Sequence, residues 1–263
     1  RYKPLRVTGP SGRTQRLGTQ AMVNNLRDML CWHIEEFDNL PVGDGFEVDV
    51  PEFDFRDENG LCYGKTGGTV RHWPRSHGKD GASAYRLDWN GLSFVWTGDG
   101  RPDELTVKYS QGVDVFVTEM QNDLGQLMAQ KNGFPVPLYN YIIDTHHTPH
   151  FAAGYLFQEI NPRVGMVTHM DYEPALDTEV IAGIRAHWDG LFLFGAPDVQ
   201  VVNVTKDAIW SREAVLPELG NASRLSPDQM LKAFELDEIP DVVEFPPVRF
   251  PREEQQIEYL RQI

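Results

Sequence analysis

The sequence predicts an α/β layered domain, and three observations carry the prediction. Strand-like and helix-like segments alternate over 92–205, the order that builds a sheet with helices packed on it. Asn90-Gly91 lies between two alternating runs, 84–89 and 92–97, as the turn of a β-hairpin does. The chain has 263 residues and is 41% hydrophobic. That is enough to bury a core without disulfide or metal staples.

Each element follows from local pattern. Residues 4–9 read as a short strand that ends in a Gly-Pro-Ser-Gly turn. Met22, Val23, Leu26, Met29, Leu30, His33 and Ile34 recur at helical spacing, so 18–37 is expected to be one amphipathic helix. Segment 38–68 is rich in Asp, Glu, Gly and Pro. It is expected to be a long excursion with a single strand at 46–50, suited to a lid or an oligomer contact. Strands are expected at 69–76, 84–89, 92–97, 114–118, 164–168 and 200–205, and helices at 124–131 and 175–188. Residues 132–148 read as a loop carrying Pro135, Pro137 and the pair His146-His147. A helix then starts at Pro149, with Thr148 as its cap. The last 50 residues carry many prolines and charges and read as a surface tail.

Composition excludes several classes. Lys and Arg total 24 against 39 Asp and Glu, a net charge of −15. Such a chain repels phosphate backbones, so no extended nucleic-acid footprint is expected. No stretch approaches the roughly 18 apolar residues of a membrane span. Cys31 and Cys62 form neither a disulfide framework nor a C-x-x-C pair. A soluble protein is expected, and the compartment stays open between cytoplasm and a secreted or periplasmic location. There is no internal repeat.

Chemistry concentrates at strand ends. The 92–97 strand runs into Gly98-Asp99-Gly100, the 164–168 strand into His169, and the 69–76 strand into His77. Imidazole nitrogen and carboxylate oxygen are the ligands of a zinc-class ion when no thiolate is at hand. A carboxylate has two oxygens, so Asp99 suits a bridge between two ions, and a two-metal site activates a water. The plain alternatives are a Gly-Asp-Gly turn, structural histidines, and an ordinary polar stretch for His146, His147 and His150.

The runs LSFVWTGDGRP (92–102), VDVFVTEM (113–120) and THHTPHFAAGYLFQEINPRVGMVTHM (145–170) resemble the metallo-β-lactamase fold superfamily. The likeness is to its branch of tRNase Z and arylsulfatase-type enzymes. HWPRSHGKDGASAYRLDWNGL (72–92) is similar to that branch's His-Gly…Gly-Tyr-Arg hairpin. With CWHIEEFDNLP, HHTPH and VVNVTKDAI, it resembles the metallo-hydrolases of guanitoxin biosynthesis. The resemblance implies an αββα sandwich over 1–210, with 38–68 as an insertion and 211–263 as a C-terminal extension. It makes His77, Asp99 and His169 metal ligands, with Asp99 bridging, and implies two zinc ions in an intact protein that also carries the superfamily's leading motif, fewer or none on these residues alone. His147 becomes a general acid or oxyanion donor, with His146 as its rival, and Glu119 orients it. The activity implied is zinc-dependent hydrolysis of an ester, lactone or phosphoester in a small molecule, in a chain that admits homo-oligomers. A metal-free binding protein and a tRNase Z-like nuclease are the alternatives.

The departures are specific. The superfamily's leading His-x-His-x-Asp-His motif does not occur in these 263 residues, so the chain is expected to match the C-terminal two-thirds of the fold. Gly100 stands where Thr is usual after the bridging Asp. Thr118 stands at the His of the His-Glu pair of tRNase Z and, with the net charge, counts against the nuclease reading.

Overall fold

The computed structural model describes residues 3–37, 43–121, 131–170, 177–194, 200–213 and 232. In chain order the first strands are β1 (Leu5–Arg6) and β2 (Gly9–Pro10), followed by α1 (Thr19–Met29) and α2 (Cys31–Glu36). The expected single helix is therefore two. Leu30 leaves the helical region (φ −98°, ψ 9°) and serves as the last cap of one and the first of the other. The apolar stripe does not reach a core either. Val23 is buried, while Met22, Leu26 and Met29 are exposed.

The excursion is more ordered than its composition suggests. It holds β3 (Val48–Asp49), β4 (Glu52–Phe53) and β5 (Gly60–Lys65). β3 pairs with β1 and β4 with β2, both parallel. β5 is the edge strand of the main sheet, antiparallel to β6 (Gly68–Pro74). The expectation of one strand in a lid is corrected accordingly, because 60–65 contributes backbone hydrogen bonds to the scaffold.

β6 continues antiparallel to β7 (Ser83–Trp89), and β7 to β8 (Leu92–Trp96). Asn90 and Gly91 both have positive φ (53° and 72°), the turn that the Asn-Gly pair adopts without strain. Beyond β8 the sheet is parallel. α3 (Glu104–Ser110) leads to β9 (Val115–Glu119), α4 (Val136–His146) and α5 (His150–Ile160) to β10 (Val164–Thr168), and α6 (Asp177–Arg185) to β11 (Phe192–Phe194). The strand order is β11-β10-β9-β8-β7-β6-β5. β12 (Gln200–Val204) and β13 (Ile209–Glu213) form a separate hairpin. The expected 124–131 helix and the tail lie almost wholly outside the described residues.

Alternation along β9 sorts the two faces. Phe116 packs with Phe157, Leu156 and Ile160 of α5, Val180 and Ile184 of α6, and Trp73 of β6 in the main core. Val115 and Val117 point the other way and meet Val204 and Ile209 of the β12–β13 hairpin. The fold is thus mixed α/β, a large mixed sheet with helices on one face and a hairpin on the other. The hairpin covers only part of its face, and Leu87, Trp89 and Trp96 remain exposed there.

Candidate metal centre

Parallel strands leave their C-terminal ends at one edge, and ligands gather there in open α/β sheets. β8, β9 and β10 end in that way beside one another. Past β8 the chain turns through Gly98 (φ 59°) and presents Asp99. β9 ends on Glu119 itself. β10 hands over to His169, a non-glycine residue at φ 56°. Such a conformation costs energy and marks a site where position matters. β6 and the loop after it deliver His77, and the end of α4 delivers His146 and His147.

The structure brings all five predicted residues together. One carboxylate lies between two imidazoles: Asp99 Oδ2 is 3.7 Å from His77 Nε2, and Asp99 Oδ1 is 2.8 Å from His169 Nδ1. The His147 ring lies 5.3 Å from that of His77 and 5.7 Å from that of His169, centre to centre. Its Nδ1 is 3.4 Å from Glu119 Oε1. Two overlapping groups, His77-Asp99-His147 and Glu119-His147-His169, each have ligand atoms within 4.8 Å of one another.

Glu119 is fully buried, and its Oε1 accepts hydrogen bonds from the backbone N–H of Gly100 (3.2 Å) and of Thr148 (2.8 Å). Its Oε2 and the Nδ1 of His147 are buried without a hydrogen-bond partner. Orphaned buried polar atoms are costly. A nitrogen and oxygen set with such atoms in reserve fits a zinc-class cation, whose ligands need no thiolate.

Two expectations are corrected here. Residues 136–146 are helix, not loop; the prolines sit in the first turn, where a missing N–H costs nothing. The cap of α5 is Pro149 rather than Thr148. Thr148 is buried and spends its hydroxyl on the carbonyl of Gly100 (2.8 Å). His147 also belongs to the C-terminal cap of α4 and donates its N–H to Ile143 O. Glu119 raises the pKa of His147 above the usual histidine value, against burial. For His77 burial comes first and lowers the pKa, helped by His147 and His146 and opposed by Asp99.

His146 stands beside His77 (5.2 Å between ring centres), with Nδ1 2.7 Å from Thr145 Oγ1. His150 does not join the site; its ring packs by Phe151. Sequence reasoning missed Arg75 and Thr148. Arg75 is buried, pairs with Asp103, and donates to Thr106 Oγ1 (2.9 Å) and to Gly100 O (2.9 Å). It also explains Gly100, since a Cβ there would lie 2.8 Å from Arg75 Nε. Thr118 is buried, its hydroxyl 3.3 Å from that of Thr97 between β8 and β9. The cleft over His77, Asp99, His147 and His169 has a volume of about 570 Å³ and is walled by Tyr139 and Ile142.

No protein-family model and no curated protein matches the sequence. Solved structures similar to the chain include the metallo-β-lactamase fold protein YhfI from Bacillus subtilis, at 13% identity and TM-score 0.49, covering 81% of this chain and 65% of that one. The short form of human tRNase Z is similar at 17% identity and TM-score 0.39, covering 64% and 60%. CmlA, a diiron β-hydroxylase from Streptomyces venezuelae, is similar at 14% identity and TM-score 0.44, covering 71% and 38%. The chain spans less than two thirds of the length of each.

Proposed function

We propose that this chain acts as a metal-dependent hydrolase of the metallo-β-lactamase type on an ester, lactone or phosphoester of a small molecule, with zinc as the ion. The observation that carries the reading is the Asp99 carboxylate set between His77 and His169, one oxygen toward each imidazole. That is the disposition a bridging ligand takes, and five separate segments converge to build the cleft around it.

His77, Asp99 and His169 would hold the metal, and His147 and Glu119 lie close enough to share in it. When bound, a zinc-class ion lowers the pKa of a coordinated water and stabilises negative charge on the reacting group. The chain's own residues do the rest. Glu119 is fixed by two backbone N–H donors, so it presents one defined oxygen to His147 Nδ1. The Glu119 charge beside Nδ1 (3.4 Å) favours the protonated imidazole, and its Nε2–H is the proton held for the leaving oxygen. Thr118, locked between two strands, offers no histidine-like donor to the cleft, which weighs against the nuclease reading. Among the described residues no helix is long and apolar enough to cross a membrane.

The test is Asp99→Asn. It keeps the shape and removes the charge that a bridge needs. Zinc content by elemental analysis and ester or phosphoester turnover should both fall by orders of magnitude, with little loss of folded protein. Wild-type chain that takes up no zinc, or an Asp99→Asn variant with unchanged turnover and metal, overturns the proposal.

A further inference from the structure

A second cleft, of about 580 Å³, adjoins the metal centre across His77. Its walls hold four cationic side chains, Arg56, Arg75, Lys79 and Arg101, and one carboxylate, Asp80. Charge pairing sorts them. Arg56 is held by Asp54 (2.6 Å) and Arg75 by Asp103, while Asp80 is itself faced by Arg13 at 3.7 Å. Lys79 and Arg101 have no ion-pair or hydrogen-bond partner for their side chains among the described residues. Two uncompensated cations thus line a concavity of a chain whose net charge is −15.

The cleft is also built firmly. Arg75 N–H donates to Ala82 O (2.9 Å), closing the loop that carries His77 and Lys79. Arg101 N–H donates to Ser76 O (2.9 Å), and Gly78 N–H to Thr145 O (3.3 Å), tying that loop to its neighbours on both sides. Gly78 has φ 64°, and a Cβ there would fall 1.9 Å from His146 Nε2, so only glycine lets the loop lie against this ring. Phe55 and Tyr141 supply aromatic walls. Concave sites with apolar walls and a few fixed polar groups are the usual form of small-molecule pockets.

We infer that this cleft binds an oxyanion group of the substrate, through Lys79 and Arg101 with His146 at its inner wall, so the substrate is a small organic molecule bearing an anionic group beside the bond that is cut. The substrate role rests on the hydrolase reading; the anion site does not, and it is tested apart from it. Charge-assisted contacts from ammonium and guanidinium to an oxyanion are the strong kind of hydrogen bond. An acidic protein repels anions in general, so a local pair of cations decides where one binds.

The experiment titrates inorganic phosphate into the full chain by calorimetry, once after zinc loading and once after chelation. The double variant Lys79→Gln with Arg101→Gln is compared with wild type. Both positions are exposed, and melting curves check that the variant folds. Phosphate should bind in both metal states, and the double variant should weaken it at least tenfold in both. Asp99→Asn should leave the binding of the chelated chain intact. Acetate in place of phosphate reads how far the site tells a carboxylate from a phosphate. Phosphate binding that needs zinc and ignores the double variant places the anion on the metal and overturns the inference; so does an absence of binding in either state.

Discussion

Glu119 offers a prediction whose size follows from its contacts. It is fully buried, and one oxygen accepts from two backbone N–H groups, those of Gly100 and Thr148. Glu119→Ala removes the one acceptor that serves both donors. Each orphaned buried N–H costs about 1–3 kcal/mol, so the variant should lose roughly 2–6 kcal/mol, before any cavity term. Glu119→Gln keeps the accepting oxygen and the volume, and its stability should stay within about 1 kcal/mol of wild type. Both variants lose the carboxylate beside His147, so both should lose most turnover. Urea unfolding followed by tryptophan fluorescence reads the stability difference, and a heat scan should show Glu119→Ala melting about 2–4 °C lower per kcal/mol lost. Equal stability of the two variants would refute the reasoning, because the backbone donors would then be satisfied some other way.

Three further outcomes follow from the geometry. His147→Ala should lower turnover by roughly 10²–10³, the range for losing one donor to a developing charge, while His146→Ala should cost much less; the reverse order assigns the role to His146. Gly100→Ala should lower the melting temperature and the zinc uptake together, since its Cβ meets the Arg75 guanidinium at 2.8 Å; an unchanged melt and metal content would show that Arg75 is not confined. Burial pushes the Asp114 carboxyl up, but hydrogen bonds from Arg163 and Ser93 outweigh it and hold the pKa below the usual value of 3.8. A depressed folded-state pKa stabilises the fold above the unfolded value and loses that contribution as pH falls through the folded one. Asp114→Asn should therefore be less stable than wild type at pH 7, with the gap closing in acid; a gap constant from pH 7 to strongly acidic pH contradicts the pairing.

Local patterns in the sequence foretold some of this structure well. The Asn-Gly pair named the β7–β8 hairpin, and the run 164–168 matched β10 residue for residue, because both signals are complete within a few residues. The five residues that the structure brings together at the strand ends were legible as a group for the same reason, each closing a strand or standing in a family motif. β5 was not legible. Gly60–Lys65 alternates weakly inside acidic surroundings, and it is a strand because β6 offers its edge. α4 was hidden by prolines that only its first turn tolerates. The contacts of Arg75 and Thr148 with Gly100 carried no local signal, since that partner is 25 and 48 residues away in sequence.

The contacts of Thr148 have a consequence for how the molecule breathes. Its hydroxyl holds the loop after β8 and its N–H holds the end of β9, while its carbonyl accepts from Gln121 N–H (2.8 Å). Three chain segments thus share one buried node, so none of them frays alone. In hydrogen exchange the amides of Gly100, Thr148 and Gln121 should open as a single cooperative unit.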